Sequence, residues 1–343
     1  MQTVAIIRQA TKTKLNVLSF CTHERYQNNM SNVNANFFLF RNPDVKNWDF
    51  RYAKLPENHY LLPRIETRLG EDYRKVVESI PRTHNFDLVL SQSKAGQYQI
   101  ARMLCHALHV PMVTLEHTSP MPGWSQSYLH QIRDTMRGNI NVFITDNNRR
   151  EWGWEGQGVR VIKHAVDTNV FCDGQQERQK SILTVANEYN TRGNILGFDL
   201  YKSVTHNLPT RPVGDTPGFS KPANDLQDLV DKYQTTLVFL NTANVSPIPM
   251  SLLEAMACGC ACVSMSSKAI PEYISHQHNG YLAKNPQQMR NHLEWLLSNP
   301  HECHRIGQNA VKTIKQKCDK VRFTNEWNEV LREASQIAYT GDF

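Results

Sequence analysis

The chain has no run of roughly 18 apolar residues among its 343, so no membrane-spanning helix is expected. Its start, M-Q-T-V-A-I-I-R-Q-A-T-K-T-K, has too short an apolar core for a signal peptide. It contains no Walker loop and no G-x-G-x-x-G, which argues against kinases and dinucleotide oxidoreductases. No Asp-x-Asp triplet is present, so neither a bound metal nor a cofactor is expected. Lys/Arg-rich runs, internal repeats, low-complexity segments and long linkers are missing too. Cysteine is sparse, eight in all without regular pairing, which fits a reducing cytosol and a cytoplasmic protein. Cys258, Cys260 and Cys262, with Cys303 and His304, tempt a metal reading. But the first closes a helix and the next two enter a strand, so three thiolates would not converge tetrahedrally. Small buried cysteines are the better account.

What is present is ordinary for a soluble globular protein: 40% apolar and 20% charged residues. The length suggests about two domains, each with its own core. Residues 1–170 carry 21 Lys+Arg against 15 Asp+Glu, and residues 171–343 carry 17 against 17, so the whole +6 excess lies in the first half. A solvated surface accounts for that excess; an acidic partner, nucleic acid or anionic lipid, is the functional alternative. Trp124, Trp152 and Trp154 lie near expected loops, where core packing is commoner than a stacking platform.

Short β-like runs alternate with helix-like segments, the pattern of doubly wound α/β domains. In the first half the strands are expected at 15–20, 35–40, 87–91, 110–115, 142–145 and 159–162, with helices at 63–80 and 94–109. In the second half they are expected at 181–185, 212–214, 236–240 and 261–265, followed by helices at 286–297, 301–317 and 325–339. The seam falls near Asp167–Gln176, polar and Gly-containing after a strand. This gives an N-terminal Rossmann-like domain over 1–167, a second over 168–322, and a final helix over 323–343 crossing back to the first.

Residues 246–259 read S-P-I-P-M-S-L-L-E-A-M-A-C-G. The strand 236–240 precedes them, Pro247 and Pro249 suit a first helical turn, Gly259 suits the stop, and 261–265 is the next strand. The helix N-terminus therefore lies at the carboxyl edge of a parallel sheet, where its N–H groups and dipole favour a phosphate. Glu254 stands on this helix among Leu252, Leu253, Ala255 and Met256. A carboxylate there is costly unless something hydrogen-bonds it or takes its charge. A vicinal diol such as a nucleotide ribose would do so; the plain alternative is a Glu reaching solvent or pairing with a buried Arg.

The same stretch resembles the donor-binding motif of the GT-B glycosyltransferases of family 4 (glycosyl transferases group 1). That family is retaining and nucleotide-sugar-dependent, with the run E-G-F-G-L-x-L-L-E-A-M-A-x-G. L-L-E-A-M-A-C-G matches closely, and Glu254 takes the place of the second glutamate, which implies a ribose contact. Ser246 replaces the first, so the contact to the transferred sugar is weakened or altered. The family's interdomain N-G-V-D-x-x-x-F corresponds to H-A-V-D-T-N-V-F, His164 to Phe171. Its V-G-R-x-x-x-x-K-G corresponds to Val185–Gly193, with Arg192 in the place of the diphosphate-binding Lys and Asn187 in that of the Arg. N-G-Y-L at 279–282 matches a further family run.

The resemblance implies a GT-B fold: two Rossmann-like domains facing across a cleft, the second holding a nucleotide-sugar as substrate. It implies donor contacts from Glu254, Asn187, Arg192, Gly193, Ser246, Ile248, Met250, Ser251 and Leu252. Arg192 would also act catalytically on the leaving diphosphate without a metal. The family's marker His in the first domain corresponds to His117, which would orient the sugar or the acceptor; a loop His bonded to carbonyls is the alternative. Where the family has a Gly-rich loop after the first strand, this chain has His23, Glu24 and Arg25. His23 and Glu24 at a cleft edge would deprotonate or position an acceptor hydroxyl; otherwise Glu24 and Arg25 pair at the surface. The acceptor is expected to be a glycan or lipid-linked glycan, reached by peripheral membrane contact if by any. The alternatives are a hydroxymethylated base in DNA, suggested by the basic first half, and a catalytically silent glycan- or partner-binding module, suggested by Ser246 and Asn187.

Overall fold

The computed structural model describes residues 14–45, 47–68, 71–81, 84–92 and 95–341. The opening segment read above for a signal peptide, apart from Lys14, and the expected helical residues 69, 70 and 94 lie outside them.

Short runs of mainly apolar residues give β1 (Leu15–Phe20) and β2 (Ala35–Phe40), which pair in parallel from Leu15 with Ala35 to Phe20 with Phe40. Both are nearly buried throughout, as parallel strands covered on two faces must be. With β3 (His59–Leu61), β4 (Leu88–Gln92), β5 (Met112–Glu116), β6 (Ile140–Phe143) and β7 (Val159–Val161) they form a seven-stranded parallel sheet, ordered β3-β2-β1-β4-β5-β6-β7. Helices α1 (Glu24–Asn29), α2 (Tyr73–Glu78), α3 (Ala95–Leu108), α4 (Gln126–Met136) and α5 (Asp146–Glu151) connect them.

The second sheet is five-stranded and parallel: β8 (Gln179–Val185), β9 (Thr210–Val213), β10 (Thr236–Asn241), β11 (Ala261–Met265) and β12 (Tyr281–Ala283), ordered β12-β11-β10-β8-β9. Its helices are α6 (Gly193–Leu196), α7 (Phe198–Thr205), α8 (Leu226–Gln234), α9 (Met250–Ala257), α10 (Ile270–Tyr273), α11 (Pro286–Ser298) and α12 (Pro300–Lys317). Helix α13 (Lys320–Ser335) packs on β1, β4 and β5 of the first sheet. Its fully buried Trp327 donates Nε1–H to the Tyr26 hydroxyl at 3.1 Å. The crossing strand-to-strand segment is clamped beneath it: Arg322 donates to the carbonyls of Lys163 and His164, and Val166 N–H to Cys318 O.

Some local expectations are corrected. The helix expected at 63–80 forms only over Tyr73–Glu78, because Asp72 accepts from the N–H groups of Arg74 and Lys75 and so starts it there. The last helix begins at Lys320 and not at Asn325, capped by Asp319 on Arg322 N–H at 2.7 Å. Pro249 is the cap before α9, and Pro247 lies outside the helix instead of in its first turn. Residues 24–27, expected as loop, are helical in α1. Among the described residues no helix is long and apolar enough to cross a membrane.

Candidate functional site

Parallel α/β sheets bind ligands outside the carboxyl ends of their strands, where the strand order reverses. In the second sheet that point lies between β8 and β10. The loop after β8 carries Asn187 and Arg192, and the loop after β10 carries Ser246 and leads into α9. The two loops are laced together. Thr242 Oγ1 donates to Leu196 O at 2.8 Å, Asn244 N–H donates to Ile195 O at 2.9 Å, and Tyr189 and Thr242 share a short hydroxyl contact. Gly197 makes the lacing sterically feasible. It has φ +73°, and a Cβ there would stand 2.1 Å from Thr242 O. Gly197→Ala is therefore expected to cost more than the roughly 1–2 kcal/mol of a left-handed alanine alone, measured by urea unfolding. An unchanged midpoint would contradict the close approach.

Arg192 is exposed, caps α6, and stands 3.9 Å from Glu188 as a loose ion pair. Asn187 Oδ1 accepts from Asp215 N–H at 2.9 Å, which turns its acceptor inward to the loop. Ser246 and Ser251 are partly buried, while Ile248, Met250 and Leu252 have their side chains in the core. Leu252 N–H bonds Pro249 O at 3.1 Å, so of the N–H groups expected to face a phosphate, Leu252's is already used. Gly193 opens α6 beside Phe198.

Glu254 is fully buried on α9. Its Oε2 accepts from the Tyr233 hydroxyl at 3.0 Å, and its Oε1 lies 2.5 Å from Arg25 Nε. Burial pushes the Glu254 pKa up, against the opposing Arg25 charge and the Tyr233 hydrogen bond. Burial disfavours the Arg25 charge, yet Glu254, with Tyr233, Glu24 and Tyr52 behind it, outweighs this and raises its pKa. On the guanidinium the attraction outweighs burial, whereas on the carboxylate burial outweighs the attraction, so the two partners share a desolvation cost that their pairing only partly offsets. Pairing with a buried Arg was the plain alternative for this residue. The Arg comes from the other sheet, and no sequence signal ties Arg25 or Tyr233 to Glu254.

In the first sheet the order reverses between β1 and β4. The residues after β1 and after β5 meet there, facing α9. His23 and His117 have ring centroids 6.3 Å apart, and Tyr26 stands edge-on to His117 at 4.7 Å. His164, from the crossing segment, stacks on His117 at 6.0 Å. The enclosed Nε2 of His117 and Nδ1 of His164 find no hydrogen-bond partner among the described residues. Burial lowers the His117 pKa to about 4 and that of His164 to about 3. Glu116 fixes the His117 loop, accepting from Thr118 N–H at 2.7 Å and from the Tyr98 hydroxyl at 2.8 Å. Glu24 is buried and accepts from Asp49 N–H at 3.0 Å, so it braces the 47–53 loop and does not pair with Arg25 at the surface.

That loop reaches the second sheet's helices. Tyr52 donates its hydroxyl to Ala223 O at 2.9 Å, and Leu226 N–H donates to Arg51 O at 3.0 Å. On another side Lys268 Nζ meets Glu151 Oε1 at 2.8 Å. Cys258, Cys260 and Cys262 are free and buried, with Cys260 Sγ on Tyr233 O. Among the described residues no group of three or more His, Cys, Asp or Glu is arranged to hold a metal.

Two α/β sheets meeting at their carboxyl edges, with a carboxylate between them, define the class. Residues 216–313 match the family described as Glycosyl transferases group 1. Solved structures of similar fold include HepE from Anabaena in complex with UDP and glucose: 14% identical, TM-score 0.70, covering 94% of this chain and 100% of that one. Sucrose-phosphate synthase from Thermosynechococcus elongatus is 11% identical with TM-score 0.71, covering 93% and 99%. A glycosyltransferase from Rickettsia africae is 11% identical with TM-score 0.66, covering 95% and 100%. No curated protein matches the chain. The fold is that of the GT-B glycosyltransferases, as the sequence resemblance implied. The family match is confined to residues 216–313, within the second sheet and its helices, and the likeness of fold extends over nearly the whole chain.

Proposed function

We propose that the chain transfers a sugar from a nucleotide-sugar to an acceptor hydroxyl, with retention and without a metal. The observation that carries this reading is the position of Glu254, on the helix after the strand-order reversal of the second sheet and within the matched segment. In this reading Glu254 takes the ribose, Arg192 and Asn187 the diphosphate, and Ser246, Ser251 and Gly193 line the sugar side. Uridine nucleotides are the first candidates, since HepE binds UDP and glucose.

Bond breaking at the anomeric carbon places negative charge on the leaving diphosphate. Exposed Arg192 is free to swing to it, and the N–H groups opening α9 add to the stabilisation. His117 and His23 face the acceptor side. His117, its pKa lowered to about 4, is neutral at physiological pH, so it serves as a hydrogen-bonding group and not as a fixed cation. Glu24 supports this side as a positioning residue through the Asp49 N–H.

The acceptor is a glycan or lipid-linked glycan. A hydroxymethylated base in DNA is the second reading, favoured by the +6 excess of residues 1–170. Steep salt dependence of duplex binding would select it.

A panel of UDP-, GDP- and ADP-sugars, read by nucleotide release with and without EDTA, tests the activity. Turnover unaffected by chelator is expected. Loss with EDTA and recovery with manganese would show that a metal neutralises the diphosphate. Binding of a donor without any turnover would leave a silent binding module.

A further inference from the structure

We propose that Arg25 is a donor-site residue supplied by the opposite sheet: it occupies the Glu254 carboxylate while the site is empty and gives way to the ribose diol when a nucleotide binds. This rests on the assignment of Glu254 to the ribose and deepens it.

The two oxygens of Glu254 are held differently. Oε2 is fixed from its own domain by the Tyr233 hydroxyl at 3.0 Å, on neighbouring α8. Among the described residues Oε1 meets Arg25 alone, from α1 across the cleft, at 2.5 Å. A carboxylate oxygen has two lone pairs, so Oε1 can take a further donor as the guanidinium leaves. A diol hydroxyl arriving at Oε1 would make a charge-assisted bond in place of the guanidinium's.

Arg25 is also the partner able to leave. Its side chain is 21% exposed, whereas Glu254 is fully enclosed. The helix beneath it is anchored without it: Gln27 Nε2 donates to Phe20 O at 3.1 Å, Asn29 Nδ2 to Ala165 O at 2.8 Å, and Glu24 accepts from Asp49 N–H. The guanidinium can therefore swing toward solvent on its flexible stem while α1 stays in place. Meanwhile the Tyr52–Ala223, Leu226–Arg51 and Lys268–Glu151 contacts keep the two halves joined.

The consequence is a measurable reduction of nucleotide affinity. Apparent affinity falls by the fraction of molecules in which the competent arrangement, Arg25 away from Glu254, is populated. Removing the guanidinium should restore that fraction. A purely structural brace would act in the opposite sense, since its loss loosens the site.

UDP, GDP and ADP are titrated by calorimetry into the wild type, Arg25→Ala, Arg25→Lys and Glu254→Ala. For the nucleotide that binds best, Arg25→Ala is expected to bind roughly tenfold tighter than wild type, and Arg25→Lys close to wild type because the cation is restored. Glu254→Ala is expected to bind more weakly than all three. Equal or weaker binding by Arg25→Ala, with the Glu254→Ala loss intact, would overturn the exchange and leave the ribose assignment standing. Unchanged affinity in Glu254→Ala, or no binding of any nucleotide to any variant, would overturn the ribose assignment and the exchange with it. Should Arg25→Ala fail to fold, Arg25→Met keeps the stem's packing and is titrated in its place, and absence of a gain there counts against the proposal equally.

Discussion

Glu254→Ala is expected to lower stability by about 3–5 kcal/mol, the usual cost of removing one partner of a buried ion pair. Arg25 and the Tyr233 hydroxyl, now 2.5 and 3.0 Å from the two carboxylate oxygens, would both be stranded. The same substitution should weaken nucleotide binding by roughly ten- to hundredfold, since hydrogen bonds to a charged group contribute about 1.5–3 kcal/mol. Glu188→Ala is the matched control, because that side chain is 65% exposed on the neighbouring loop. Glu188→Ala should leave both quantities nearly unchanged. Equal nucleotide affinities in the two variants would contradict the ribose assignment, and equal stabilities would contradict the buried pair. Glu254→Gln keeps the volume and the Tyr233 contact, so it separates loss of charge from loss of packing.

Acidification from pH 7 to pH 5 is expected to remove about 4 kcal/mol of stability through two histidines. His59 and His164 are each 3% exposed, and burial holds both pKa values at about 3. Unfolded imidazoles titrate near 6.5, so at pH 5 each favours the unfolded state by about 2 kcal/mol. The sign follows from a folded-state pKa that is lowered. The contribution is fully present above pH 6.5, is lost progressively as pH falls, and is exhausted at about pH 3. His117, whose pKa burial lowers to about 4, adds a further loss of about 2 kcal/mol by pH 5. Most carboxylates titrate below this window, so the histidines dominate between pH 6.5 and 5. Urea unfolding at the two pH values measures the effect, and His164→Gln should remove about a third of the total. Identical stability at pH 7 and pH 5 would mean that these rings are protonated in the folded protein.

The architecture was legible where burial follows a backbone period. The runs L-N-V-L-S-F, A-N-F-F-L-F and A-C-V-S-M became β1, β2 and β11 with their boundaries intact, because each is covered on both faces and is therefore mainly apolar. The three-residue edge strands β3 (H-Y-L) and β12 (Y-L-A) were not, while the equally short β7, within V-R-V-I, was, because only the last is rich in β-branched residues. Helix α1 was hidden for another reason. Its buried residues include Glu24, Gln27 and Asn29, which satisfy backbone groups of other segments and give no apolar stripe. At the site, the lone carboxylate on an apolar helix singled out Glu254, and resemblance singled out Arg192 and His117. The places of Arg25, Tyr233 and His164 beside Glu254 and His117 became visible only in three dimensions. Their relation to Glu254 and His117 depends on how two separate sheets face each other, and neither spacing nor composition encodes that. Glu24 and Arg25 were singled out together, yet the fold sends them to different partners, Asp49 N–H and Glu254.

The central claim is that the Glu254 carboxylate recognises a nucleotide's ribose diol. Titration of a nucleoside diphosphate and its 2′,3′-dideoxy analogue into wild type and Glu254→Ala tests it most directly. The account predicts that removing the diol costs roughly tenfold or more in wild type and almost nothing in Glu254→Ala, since the hydroxyls then have no carboxylate to lose. An equal loss in both proteins would contradict it.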